Sequence, residues 1–130
     1  MLSITSKSPY AVRALVELHL IGDDDPVPIG ELAKRGGIPA QFLEQLFATL
    51  RRSGLVKSQR GVKGGYSFAR PAEQITVLEV VEQLDGPLGA GATGVFADAA
   101  EAARAVLRAQ SIADVADAEA RAGGAAMYFI

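Results

Sequence analysis

The hydrophobic period of this chain changes between Ile38 and Pro71, from helical to alternating, and no other feature constrains its fold as much. From Pro39 to Arg52, Phe42, Leu43, Leu46, Phe47 and Leu50 recur at the spacing that lines one face of a helix. Ser53-Gly54 stops that pattern. Leu55 to Gln59 and Tyr66 to Ala69 then alternate apolar and polar residues, as half-buried antiparallel strands do. Between them runs a loop, Arg60-Gly61-Val62-Lys63-Gly64-Gly65. Upstream, Ile29 to Arg35 reads as a short helix closed by Gly36-Gly37, and Pro39 opens the longer one three residues on. Two helices joined by a tight glycine turn form a helix-turn-helix, though many αα-hairpins share the pattern. The hairpin that follows at once makes it a winged helix-turn-helix.

Charge supports this reading independently. The net charge is −2, yet it is strongly partitioned. Residues 45–72 carry six Lys/Arg and no Asp/Glu, whereas residues 73–130 carry three against nine. A cationic block inside an acidic chain points to a polyanion, nucleic acid first, with the remainder repelling it elsewhere. On the helix, Gln41, Glu44, Gln45, Ala48 and Arg52 face away from the apolar side. Gln bonds bidentately to adenine and Glu accepts from cytosine N4, while a small Ala permits close approach. The helix alone leaves open whether this face reads bases or is merely solvated. The hairpin decides for the first, with the helix over residues 39–52 in the major groove and the wing over 60–66 in the minor groove. Arg60 and Lys63 at the tip suit the negative potential of a narrow, A·T-rich minor groove.

What is missing narrows the chemistry. The 130 residues include no cysteine and a single histidine, His19. Disulfides, thiolate catalysis, Cys-ligated zinc and Cys-ligated clusters are therefore excluded within this chain. There is no P-loop or dinucleotide glycine pattern, and no helix follows Gly61–Gly65 to cradle a phosphate. An enzyme is not expected, and no cofactor is called for. No apolar run approaches the roughly 20 residues that span a bilayer, and the first ten residues lack the apolar segment of a secretory signal. A cytoplasmic protein with no membrane association is the expectation.

Elsewhere, Ser8-Pro9 reads as the start of a helix reaching Ile21, with Ser8 as its cap and Lys7 just ahead within reach of a phosphate. Thr76-Val77-Leu78-Glu79 has the capping-box pattern of a helix to about Leu84, stopped by Gly86-Pro87. Asp98 to Glu101 and Ser111 to Asp114 open two more helices by the same rule. The Ala-rich helix from Ala99 to Gln110 carries Ala103, Val106, Leu107 and Gln110 along one side, small enough for close helix packing and a dimer interface. The apolar end, Ala125 to Ile130, is expected to dock on its own domain or on a partner. His19 is read as packing or capping within the first helix.

The run FLEQLFATLRRSGLVKSQRGVKGGYSFARP, with Thr5-Ser6-Lys7 and Tyr10-Ala11-Val12-Arg13-Ala14-Leu15 before it and Ile75-Thr76 after, resembles the Rrf-two family of bacterial winged-helix regulators (IscR-like and CymR-like proteins). The resemblance covers about residues 3–87. It implies that Glu44 and Gln45 enter the major groove and Arg60 the minor groove, with Gly64-Gly65 letting the wing lie close. Two departures stand out. The family wing is often RGPGGGY, where this chain has Val62-Lys63, adding a phosphate-type contact. Members that sense through an iron–sulfur cluster carry three cysteines after residue 87, and this chain has none.

These readings together define a mainly α (α+β) chain: a winged helix-turn-helix over residues 1–87, with a two-stranded wing, and a loop, dimerisation helix and C-terminal arm over 88–130. The expected function is a homodimeric, sequence-specific regulator of transcription, a repressor, bound to double-stranded DNA at a pseudo-palindrome. Its DNA-binding residues are Lys7, Gln41, Glu44, Gln45, Arg51, Arg52, Lys57, Arg60, Lys63, Gly64, Gly65 and Tyr66. The alternative is a protein-interaction adaptor that docks an enzyme or regulator through its acidic half. A partner protein and a small molecule both stay open as effectors.

Overall fold

The computed structural model describes residues 3–22 and 24–128. Three helices come first: α1 (Lys7–Ile21), α2 (Ile29–Gly36) and α3 (Ala40–Arg52). They are followed by the antiparallel pair β1 (Val56–Gln59) and β2 (Gly65–Phe68), a short 3₁₀ turn (Ala72–Gln74), and the helices α4 (Val77–Asp85), α5 (Gly94–Arg108) and α6 (Ile112–Tyr128). The architecture is a mainly helical winged helix-turn-helix, as expected.

One core ties these elements together. Ala11, Ala14, Leu15, Val16 and Leu18 of α1 meet Leu32 of α2 and Leu43, Leu46, Phe47 and Leu50 of α3. The same cluster takes in Leu55, Val56 and Ile75, then Val80 of α4 and Ile112, Ala113 and Ala116 of α6. Each large apolar side chain so buried contributes about 1.5–3 kcal/mol. Phe47, with none of its surface exposed, anchors α3 against the wing through the edge of the Tyr66 ring, 5.1 Å away between centroids.

Local chemistry sets the boundaries. Gly37, in the left-handed region at φ 65°, closes α2 and lets its amide reach the Ala33 and Lys34 carbonyls. The hydroxyl of Thr76 caps α4 by accepting from the Glu79 amide at 3.1 Å. Ser111 and Asp114 satisfy each other's amides at 3.0 and 2.9 Å, a complete capping box at the start of α6. The two starts lie side by side: Val77 N donates to Gln110 O at 2.9 Å and Ile112 N to Ile75 O at 2.8 Å.

Two expected starts are corrected. Helix α1 begins at Lys7 rather than at Pro9, and Ser8 lies inside its first turn, buried, instead of capping it. Its hydroxyl turns to Asp85, 77 residues away, at 2.6 Å. Helix α5 begins at Gly94, four residues before the Asp98 pattern that suggested its start, so Asp98 lies in the helix and caps nothing. The placement expected for the apolar C-terminal side chains, 125–130, falls outside the described residues.

Candidate nucleic-acid interface

Helix α3 spends one face and leaves the other unspent. Leu43, Leu46, Phe47 and Leu50 are buried, and Phe42 is half-buried with its ring edge-on to Tyr10 at 5.6 Å. Gln41, Glu44 and Gln45 project into solvent on the opposite side. Among the described residues none of these three side chains has a hydrogen-bond or ion-pair partner. Three polar groups at i, i+3 and i+4 on one helix face can therefore take partners from outside the chain. Ala48 is half-buried at the border of the two faces.

The orientation of that helix is set by residues the sequence pattern did not mark. Arg13 of α1 donates from Nη1 to the Gly36 carbonyl at 3.1 Å, at the negative end of α2. Its guanidinium also lies 5.7 Å from the centre of the Tyr10 ring, and that ring packs on Phe42 of α3. Arg13 thus links α1 to the turn and, through Tyr10, to α3. The spacing of Tyr10 and Arg13, three apart on one helix face, was the available signal.

The wing is built on the register Val56↔Phe68, Lys57↔Ser67, Ser58↔Tyr66 and Gln59↔Gly65. A third segment joins it: Val27 N donates to Tyr66 O and Tyr66 N to Val27 O, both at 2.8 Å. Val27, an apolar residue held extended between two prolines, was the clue in the sequence. This pairing explains the glycine pair from inside the molecule. A Cβ on Gly65 would fall 2.3 Å from the Val27 carbonyl, and one on Gly64 would fall 2.3 Å from the Gln59 oxygen. The glycines are therefore required by the chain's own backbone. Tyr66 likewise has an internal use, its ring turned onto Phe47.

The six cations of residues 45–72 separate into two groups. Arg70 is ion-paired to Glu79 of α4 and so is neutralised. Arg51, Arg52, Lys57, Arg60 and Lys63 are exposed, and among the described residues none pairs with a carboxylate. Arg51 donates to the Ser58 hydroxyl at 3.3 Å, bracing the end of α3 against β1. Arg52 donates to the Thr49 hydroxyl at 3.1 Å. Lys57 lies on β1, with Arg60 and Lys63 at the tip.

Lys7, in the first turn of α1, sits beside an anchor for that helix end. The Asp85 carboxylate, the last residue of α4, accepts from the Ser8 and Thr5 hydroxyls at 2.6 Å each and from the Thr5 amide at 3.3 Å. Partial burial pushes this carboxyl up. Donation from Ser8, from Thr5 and its amide, and the charge of Lys7 outweigh that and hold it below 3.8.

Helix, turn, wing and unpaired cations on one stretch define a winged helix-turn-helix regulator of transcription. A family model described as "Rrf2: Iron-dependent Transcriptional regulator" matches residues 4–93, and the chain belongs to that family. It is 45% identical over 82 residues to the HTH-type transcriptional regulator IscR of Xenorhabdus nematophila, covering 63% of this chain and 50% of that one. IscR of an Escherichia coli O1:K1 strain is 44% identical over the same length, again 63% of this chain and 51% of the relative. The chain thus spans about half the length of the curated relatives it matches. Among solved structures, CymR, the global cysteine regulator of B. subtilis, superposes with a TM-score of 0.81 at 28% identity, covering 90% of this chain and 98% of that one. T. potens IscR gives 0.77 at 31% identity, covering 91% and 88%. These relatives are named as transcriptional regulators, not enzymes.

The iron in the family's description does not fit the donors of this chain. It has no thiolate to offer, and among the described residues no group of three or more His, Cys, Asp or Glu comes together. The loop between α4 and α5, residues 86–93, is instead closed on itself. Leu88 is buried, its amide donates to the Glu82 carboxylate at 3.2 Å, and Glu82 also pairs with Arg104 of α5. No helix among the described residues is long and apolar enough to cross a membrane.

Proposed function

We propose that this chain is a homodimeric, sequence-specific DNA-binding repressor that reads a pseudo-palindromic operator. The observation that carries the reading is the unspent chemistry of one stretch. Among the described residues Gln41, Glu44 and Gln45 on α3 have no side-chain partner and the five cations from Arg51 to Lys63 have no carboxylate partner, in a chain whose other regions are acidic. In this reading α3 lies in the major groove, where Glu44 and Gln45 meet base edges. Lys7, Arg51, Arg52, Lys57 and Lys63 meet phosphates, and the wing tip enters the minor groove with Arg60. Gly64, Gly65 and Tyr66 shape the wing that delivers it.

Pairing of two copies is supported by α5. Val95, Ala99, Ala102 and Val106 follow one another at i, i+4, i+7 and i+11, and Val95, Phe96 and Val106 are about two-thirds exposed. We assign residues 1–87 to DNA binding and 88–130 to pairing, on a shared core. Two-fold symmetry then sets half-sites about one helical turn, roughly 34–36 Å, apart. Selection of bound sites from random DNA tests this. The expected result is a pseudo-palindrome with that spacing; recovery of no enriched site would overturn the reading. The same exposed stripe also suits a protein-interaction adaptor. Stoichiometric capture of one partner together with no retained DNA would favour that alternative.

A further inference from the structure

Among the described residues Val62 is the most exposed large apolar one, at 105% of its reference surface. Val95, Phe96 and Val106 all lie on α5, but Val62 stands apart, between Arg60 and Lys63 at the wing tip. The tip holds it outward. Gly64 N donates to Gly61 O at 3.0 Å, Gly61 takes φ 113°, and Gly64 has no room for a Cβ against the Gln59 and Gly61 carbonyls. The β-branched side chain is itself stiff about χ1. A rigid isopropyl group, flanked by two free cations, leads the wing.

We infer that Val62 is a specificity-determining residue whose isopropyl group presses on the floor of the minor groove and selects A·T over G·C pairs there. The inference deepens the proposed function, and rests on its placing of the wing in the minor groove. The chemistry follows from what that floor displays. A·T and T·A pairs offer only acceptors at its edges, whereas G·C adds the guanine N2 amino group, which projects from the floor and donates. An isopropyl group cannot accept that donor, so covering it strands a desolvated N–H. Apolar side chains at the base steps are a recurring device of minor-groove proteins. Arg60 responds to groove width and potential; Val62 responds to one exocyclic group.

The two effects separate in an experiment with three duplexes built on the selected operator. Under the wing, mapped by hydroxyl-radical footprinting, they carry A·T, G·C or inosine·cytosine pairs. Inosine keeps the cytosine partner but lacks the N2 amino group. The full chain should bind the A·T and inosine duplexes alike, and the G·C duplex about tenfold more weakly per half-site. Val62→Ala should narrow that gap to under about threefold, by exposing the amino group to water. Val62→Thr, of similar shape, should do the same by offering it an oxygen. Both should unfold at the wild-type temperature, since the side chain touches nothing. A gap that persists in both variants would assign the preference to groove width and overturn the role of Val62. Equal binding of all three duplexes by the unaltered chain would overturn it as well. Retention of no duplex, the operator included, would instead sink the DNA-binding reading itself.

Discussion

The stretch from α3 through the wing and the segment from Arg70 to the end of α5 satisfy their charges in opposite ways. In the second, Arg70 reaches Glu79, Arg104 joins Glu82 and Glu101, and Arg108 joins Glu101. Every one of these cations is balanced within the chain. In the first, the five cations from Arg51 to Lys63 have no carboxylate partner among the described residues, and three polar side chains on α3 are equally unused. The unspent resource of α5 is apolar instead: Val95, Phe96 and Val106. What each region leaves unsatisfied states what it wants. In the proposed function a polyanion completes the first, and an apolar surface such as a second copy of the chain completes the other.

The sharpest way to break this contrast is at Gly65, where the wing's needs are internal. Gly65→Ala should cost about 3 kcal/mol in a denaturant titration, because its Cβ would meet the Val27 backbone. Lys63→Ala, two residues away, should leave stability within about 0.5 kcal/mol. It should reduce the salt slope of DNA binding by about 1.8 per dimer, two phosphate contacts being lost. If the two substitutions behaved alike, the division of the wing into scaffold and contact would be wrong.

On the apolar side, Val106→Glu should weaken self-association by about tenfold or more, by desolvating a charge. Since Val106 is 66% exposed, the fold should be intact. Sedimentation at several concentrations reads the first and thermal melting the second. Gln45→Ala should relax base preference by about 1–3 kcal/mol across a panel of operator variants, with salt dependence unchanged.

A further effect of modest size is expected where α4 holds the start of α1. Asp85→Asn should cost about 1 kcal/mol at neutral pH, discounted for solvent screening. The folded carboxyl lies below its unfolded value of 3.8, so its contribution is complete above that value and is lost as pH falls through the folded one. The two proteins should therefore converge in stability in acid below pH 3.8. A constant difference across that range would show that the carboxylate's charge is not what ties α1 to α4.

Legibility in the sequence followed range. Features written in a few consecutive residues were readable: the faces of α3, the alternation of the wing, the stop at Gly37, and the caps at Thr76 and Ser111. What escaped was made by residues far apart. Ser8 looked like a cap because its neighbours cannot disclose Asp85, 77 positions on. Arg70 counts in the cationic block of the sequence, and only the fold shows that Glu79 balances it. Gly65 suggested close approach of a ligand, whereas Val27 already occupies that space. The Asp98 pattern misplaced the start of α5 because a capping motif also occurs by chance inside an Ala-rich helix. The exposure of Gln41, Glu44 and Gln45 was legible because it follows from the helical period of α3 alone.

The central claim is that the cations from Arg51 to Lys63 are left free for phosphates. The dependence of operator affinity on salt tests it most directly. Five contacts per chain, ten per dimer, predict that log K falls with log salt at a slope of about −9. A slope near zero on the selected operator would contradict the account.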